Sequence, residues 1–441
     1  MGRLQSPVQV QQEEAINLEF GRIFTRGDNL YPDIRQGGPY LHPSYPPLYP
    51  FLLSLWMKFL PGPWLPGRLP AFFGYLACGI LLAAWGWRRW GWAPSLVMAG
   101  FLWVLPTWLA WGSMARMDCL LCAVNFLAFW VIWRMEAGTS PRNSNRHWLM
   151  GGLLNGLALL LKPTAGSLTL AMSGYALGRR QGKALALFLA SSLAPLLLVT
   201  VYFQWKTGGM YLTQTIRWAA TGFHADLLWG YVKGSLLSEY GSILAGLFLV
   251  LAMGEIPPLL KWQMAFATLG LLTLAREGAA ENYYMEFTLY GLLVLGEGFF
   301  RAGTGLAEKF PRTAALYLAF TAASFFLPAS PRVPDAAEVS QKLESARLYT
   351  AGDYLALDPD LPYLAGQKIW YQYSGLIPLY TNWLWNPEPL VRDIRDKKFK
   401  SVELYDIPHQ YLLPAKTEEA IWQNYHVTLR KYGRVWLEPN G

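Results

Sequence analysis

Charge is scarce in this chain. Asp, Glu, Lys and Arg together make up 15% of its 441 residues, against 53% hydrophobic. That balance excludes an ordinary soluble domain and fits a protein that crosses a bilayer many times. Cysteine is scarcer still: Cys78, Cys119 and Cys122 are the whole complement, and each sits in an apolar run. Cys119 and Cys122 have C-x-x-C spacing, but no histidine or second cysteine pair lies near. They read as packing groups on one helix face, and no zinc or redox site follows. There is no P-loop, no GxGxxG at a strand–helix junction and no HExxH, which argues against an ATPase and a metalloprotease. No DxD-type acidic pair of the kind that holds a nucleotide-sugar's metal is expected, which argues against a nucleotide-sugar enzyme. No metal or other cofactor is called, for want of a ligand set. The formal net charge is +8, but the arginines flank apolar segments rather than line one face, so nucleic acid is not an expected partner.

What the chain has in abundance is apolar length and aromatic side chains, including 21 Trp and 24 Tyr. Such rings suit the depth of lipid headgroups. Stretches of spanning or near-spanning length recur at Leu69–Trp87, Pro94–Trp111, Cys119–Trp133, Leu149–Leu161, Gly166–Leu177, Ala184–Phe203, Ile243–Met253, Leu259–Leu274, Phe287–Phe299 and Ala314–Leu327. The expected fold is an all-α polytopic membrane bundle of about 10–11 spans. Leu149–Leu161 and Gly166–Leu177 are either two short spans or one kinked hairpin, interrupted by Lys162-Pro163-Thr164. Arg88 and Arg89, then Arg134, Arg142 and Arg146, then Arg179, Arg180 and Lys183 fall on alternate connections. By the positive-inside rule these are cytoplasmic. The polar clusters Glu13–Tyr49, Arg116–Asp118, Lys162, Lys206–Lys233 and Arg276–Glu286 then share the external side, as does the tail after Pro328. The predicted division is an external loop with juxtamembrane helices over 1–67, a bundle over 68–330, and a soluble external α/β domain over 331–441. In that last part Ser401–Tyr405 and Arg434–Leu437 read as strands, and Pro389–Asp396 and Thr417–Asn424 as helices.

The acidic, turn-rich stretch Glu13–Tyr49 is where chemistry is expected. Glu14–Thr25 has helical periodicity, with Ile16, Phe20, Ile23 and Phe24 on one stripe and Glu13, Glu14, Asn17 and Gly21 off it. Gly27-Asp28 ends the helix. A second short helix runs from the Tyr45-Pro46-Pro47 turn to about Phe59. The acids suit a flat surface helix turned toward a cavity, where a partly desolvated carboxylate serves as general base. The plainer reading is that Glu13 and Glu14 simply favour a helix N-terminus. Arg116 and Asp118 read as a structural ion pair or as a grip on an anionic headgroup. Lys162 either snorkels or binds. With Arg276 they are cations that could converge on a phosphate leaving group. His42 and Tyr45 are candidate donors to it, and Glu281 and Asn282 supporting polar groups.

The order acidic helix, GDNLYPD, YPPLYPFLL, GRLPAFFGYLACG, ARMDCLL, GLLNGLALLLKPTAG and GAAENYYMEF resembles the GT-C superfamily of membrane glycosyltransferases. The branch it resembles holds the prokaryotic relatives of protein O-mannosyltransferases and aminoarabinose–lipid A transferases. The resemblance covers roughly residues 12–328. It implies a polyprenyl-phosphate-linked sugar donor, inversion at the anomeric carbon, and an acid of the first external loop as base. Glu14 matches that acid, with Glu13 the alternative, because many relatives have Asp-Glu there. It places Arg116, Lys162 and Arg276 on the phosphate side. Aminoarabinose-type relatives carry lysine before the Pro-Pro pair, where this chain has Tyr45. The family also has a transmembrane helix ahead of the loop; here that place holds the polar Met1–Gln12, so the resemblance implies either a start downstream of the natural one or a chain without the first span. The implied location is the plasma (inner) membrane, with membrane lipids as partners and a glycan, lipid or protein as acceptor. A polytopic transporter or flippase for a lipid-linked or anionic substrate is the competing reading, and its main support is the break at Lys162-Pro163.

Overall fold

The computed structural model describes residues 2–11, 13–136, 144–220, 222–253, 255–301, 305–309, 311–312, 317, 321 and 332–441. The chain forms two compact units. The first comprises Met1–Leu69, Thr200–Gly222 and Arg332–Gly441, and the second Pro70–Val199 and Phe223–Pro331.

The second unit is helical. Its elements include Leu65–Trp90, whose first residues belong to the other unit, then Trp92–Val104, Pro106–Trp111, Asp118–Glu136, Ser144–Leu161, Gly166–Gly178, Gly182–Lys206, Leu237–Met253, Pro258–Gly270 and Tyr284–Phe300. Leu65–Trp90, Gly182–Lys206 and Ala225–Ala252 are long and apolar enough to cross a membrane. The expected span Ala314–Leu327 lies outside the described residues, apart from Tyr317 and Thr321. The ambiguous pair resolves into two helices. Lys162 between them is extended (φ −158°, ψ 135°), the conformation that a following proline imposes. Glycine brings two of these helices together: a Cβ on Gly74 would stand 2.5 Å from the backbone nitrogen of Leu120.

In the first unit the helix Glu14–Arg26 stops at Gly27, whose left-handed φ of 74° lets its N–H reach Ile23 and Phe24 carbonyls. This is the stop expected from Gly27-Asp28. The burial pattern differs from that expectation. Glu14, Asn17, Glu19 and Gly21 are buried along with the apolar stripe. Glu14 is buried because Arg68 meets it. Gly21 is buried because it lacks a side chain where Leu53 of the short helix Leu48–Trp56 closes in.

The C-terminal part carries a four-stranded sheet: β1 (Tyr354–Ala356), β2 (Ser401–Tyr405), β3 (Tyr425–Lys431) and β4 (Arg434–Pro439), in the order β1-β2-β4-β3. β1 runs parallel to β2, and the other pairs are antiparallel. With the helices Ala336–Ala346, Glu388–Arg395 and Ala415–Asn424 it makes the expected α/β fold. The opening loop is stitched to this part. The Tyr40 N–H donates to the Trp370 carbonyl at 2.8 Å and the Gln372 N–H to the Tyr40 carbonyl at 3.1 Å. The Tyr40 hydroxyl reaches Asp393 at 2.8 Å, and the Arg22 guanidinium lies 3.6 Å from the centre of the Tyr363 ring.

One Asp-x-Asp spacing is present after all, at Asp358-Pro359-Asp360. Its carboxylates are engaged by side-chain cations: Lys342 Nζ stands 2.6 Å from Asp360 and Arg434 pairs with Asp358. Burial opposes ionisation of Asp358, but Arg434 and Lys342 outweigh it and hold that carboxyl below its usual range. Burial, reinforced by the Asp358 charge, pushes Asp360 up. The motif belongs to a buried network that also takes in Glu403 through the Arg434–Glu403 pair.

Gly74→Val should force the helix backbones apart and lower stability by about 1–3 kcal/mol. Gly100→Ala, in a helix with open space around it, should be neutral or stabilising. Melting temperatures in detergent check both.

Candidate functional site

In the first unit, the acids of the opening helix have very different surroundings. Both the Glu14 and Arg68 side chains are fully buried. Arg68 Nε donates to Glu14 Oε1 at 2.9 Å, and a second guanidinium nitrogen donates to Oε2 at 2.9 Å. The Val10 N–H also donates to Oε2, at 2.7 Å. The rest of the guanidinium caps the carbonyls of Ser6 (2.7 Å) and Val8 (2.8 Å). Bidentate pairing with the remaining donors satisfied is what makes a buried ion pair tolerable. Glu13, one residue earlier, is half-buried at the N-cap. Among the described residues its carboxylate has no hydrogen-bond or ion-pair partner.

His42 is buried, with its N–H bonded to Gln372 Oε1 at 2.9 Å. Gln214 donates its amide to the Pro32 carbonyl at 2.6 Å, so its oxygen faces His42 Nδ1, at 3.4 Å. That orientation makes Nδ1 the protonated nitrogen of a neutral ring. Burial lowers the pKa of His42 from 6.5 to about 4. Tyr45 is partly buried, and its carbonyl accepts from the Tyr31 hydroxyl at 2.8 Å.

In the second unit, several predicted residues converge. Lys162 Nζ lies 2.9 Å from Asp118 Oδ1, and Asn282 Nδ2 donates to the same oxygen at 2.7 Å. Arg116 Nε stands 3.8 Å from Asp118 Oδ2. Lys162 is also 4.7 Å from the centre of the Tyr283 ring. Asp118 opens one helix, Lys162 occupies the break before Pro163, and Asn282 sits in the short turn Glu281–Tyr283. Asp118 thus meets two cations. Asp118, Lys162, Asn282 and Tyr283 line a cavity of about 360 Å³. Its other walls are largely apolar, with Leu121, Leu170, Phe266 and Leu269 among them. Arg276 and Glu281 are not among its lining residues. Arg276 is part-buried and pairs with Phe223 in an isolated bridge, and Glu281 is exposed. An amphipathic ligand with an apolar tail fits such a cavity chemically: Lys162, Asn282 and Tyr283 offer polar contacts, and the apolar walls suit the tail.

Sequence reasoning missed Arg68 and the carboxylate of Glu286, which also lines the cavity. A lone arginine opening the apolar run at Arg68 was the available signal for the first. For the second it was an acid directly before the run Phe287–Phe299.

Residues 44–205 match the model of the family described as dolichyl-phosphate-mannose-protein mannosyltransferase. The fold matches the crystal structure of ArnT from Cupriavidus metallidurans in the apo state, with a TM-score of 0.66 at 14% identity over 99% of this chain and 94% of that one. The same protein bound to undecaprenyl phosphate matches at a TM-score of 0.64 and 13% identity, over 98% and 95% of the two chains. No curated protein matches in sequence.

Arg68→Met would leave Glu14 buried without its partner and should cost about 3–5 kcal/mol, seen as a large drop in melting temperature. Because the folded state favours neutral His42, its contribution is complete above pH 6.5 and is lost as pH falls from 6.5 toward about 4. His42→Asn should therefore flatten the stability profile between pH 7 and 4.5, measured as unfolding midpoints of variant and parent.

Proposed function

We propose that this chain, whose fold is that of the GT-C superfamily of polytopic membrane glycosyltransferases, transfers a sugar from a polyprenyl-phosphate donor to an acceptor at the external membrane face. The observation that carries the reading is the cavity in which Lys162, held against Asp118 with Arg116 behind it, borders a largely apolar wall. The family match over residues 44–205 and the likeness to a protein solved with undecaprenyl phosphate support the same donor class.

In the proposed reaction a carboxylate of the opening helix takes the acceptor's proton. The acceptor oxygen or nitrogen attacks the anomeric carbon. The bond from that carbon to the phosphate oxygen breaks, and the lipid phosphate leaves with the electron pair. Attack opposite the leaving group inverts the centre. Lys162, backed by Arg116, stabilises the charge that grows on the departing phosphate.

Of the two acids we assign the base to Glu13. Both oxygens of Glu14 already accept from Arg68, and a proton placed there would cost the buried pair. Glu13 is half-buried, so partial desolvation can keep it basic while leaving it reachable. Glu14 then acts as the anchor that fixes the helix start and aims its neighbour. Arg276, His42, Tyr45 and Glu281 are proposed only as outlying contributors. The transporter reading has the helix break at Lys162 in its favour, but it gives no role to an accessible carboxylate beside an anchored one.

Glu13→Gln should reduce transfer by roughly 10²–10⁴-fold while polyprenyl phosphate binding and melting temperature stay unchanged. Purified protein with a lipid-linked sugar donor and mass detection of products reads the effect. Full activity in that variant would remove Glu13 from the role.

A further inference from the structure

Glu286 opens the helix Tyr284–Phe300 and lines the cavity that holds Lys162 and Asp118. Its two oxygens have different surroundings. Oε1 accepts from Asn125 Nδ2 at 3.0 Å, Ser167 Oγ at 2.5 Å and Gln263 Nε2 at 3.1 Å. These donors come from separate helices, Asp118–Glu136, Gly166–Gly178 and Pro258–Gly270.

The orientation of the Asn125 amide is fixed from behind. Its oxygen accepts from Asn155 Nδ2 at 3.0 Å, so only its NH₂ can point at Glu286. Asn155 is in turn held by the Ala165 carbonyl (3.1 Å) and by the hydroxyls of Thr169 (2.6 Å) and Ser192 (2.8 Å). A satisfied buried network of this kind is rigid, and rigidity is what a recognition group needs. Oε2 has no hydrogen-bond partner among the described residues. The network therefore spends one carboxylate oxygen on position and leaves the other for whatever enters the cavity.

We propose that Glu286 Oε2 is the acceptor for a hydrogen-bond donor on the sugar of the lipid-linked substrate, a hydroxyl or an amine, and so a residue that selects the donor sugar. This rests on the reading of the cavity as a polyprenyl-phosphate-sugar site. In that site Lys162 faces the phosphate and Glu286 takes the sugar. Neither the predicted site residues nor the comparisons assign Glu286 a role. Its place in the cavity also differs from that of the phosphate-side groups: a carboxyl oxygen suits a hydroxyl or amine donor better than a phosphate.

The test compares binding of polyprenyl phosphate and of polyprenyl-phosphate sugar to the parent protein, Glu286→Gln and Glu286→Asp, in detergent. Removing this acceptor should weaken the sugar-bearing lipid about 10-fold in Glu286→Gln. Sugar-free polyprenyl phosphate should bind parent and variant alike, which also certifies that the variant is folded. Glu286→Asp should recover part of the loss and change the ranking of donor sugars. Equal weakening of both lipids, or of neither, overturns the assignment of Glu286. Failure of the parent to bind either lipid overturns the donor reading itself, and this inference with it.

Discussion

An anion buried in a helical bundle must be answered by cations. Lys162 and Arg116 both approach Asp118, and Asp118 and Lys162 border a cavity with largely apolar walls. Three separate segments meet at this carboxylate: the start of Asp118–Glu136, the break at Lys162 and the turn that holds Asn282.

The opening helix meets the same constraint. Glu14 is answered in full by Arg68 and the Val10 N–H. Nothing is left over for chemistry at that residue, and the pair instead fixes where the helix begins. Fixing the start also fixes Glu13, which keeps its carboxylate partly exposed. Two adjacent acids of one residue type thus have different capacities because only one of them meets an arginine.

The sequence made some of this legible and hid the rest for physical reasons. The Glu14–Arg26 helix was readable from its apolar stripe and from Gly27, since both signals are local. Lys162 stood out because a charge interrupts an apolar run. Its joining of Asp118 and Asn282 was foreseeable in kind, as all were polar breaks near span ends. Arg68 was not foreseen as the partner of Glu14, because 54 residues separate them and nothing in spacing reports such a pairing. The role of Glu286 was hidden in the same way: its donors lie on other helices, and a glutamate next to Glu281 and Asn282 reads only as part of a polar patch. β1 has three residues, too few for alternation to register, and it forms because β2 offers it a parallel edge. The burial of Gly21 depends on Leu53 of the helix Leu48–Trp56 packing against it, which the opening segment alone does not encode.

The most direct measurement incubates the purified protein with a polyprenyl-phosphate sugar and a panel of acceptors, and follows both the lipid product and the anomeric configuration of the new bond. The account predicts that sugar-free polyprenyl phosphate appears in step with an inverted glycosyl product. Passage of the intact lipid-linked sugar across liposomes with no glycosyl product, or a product of retained configuration, would contradict it.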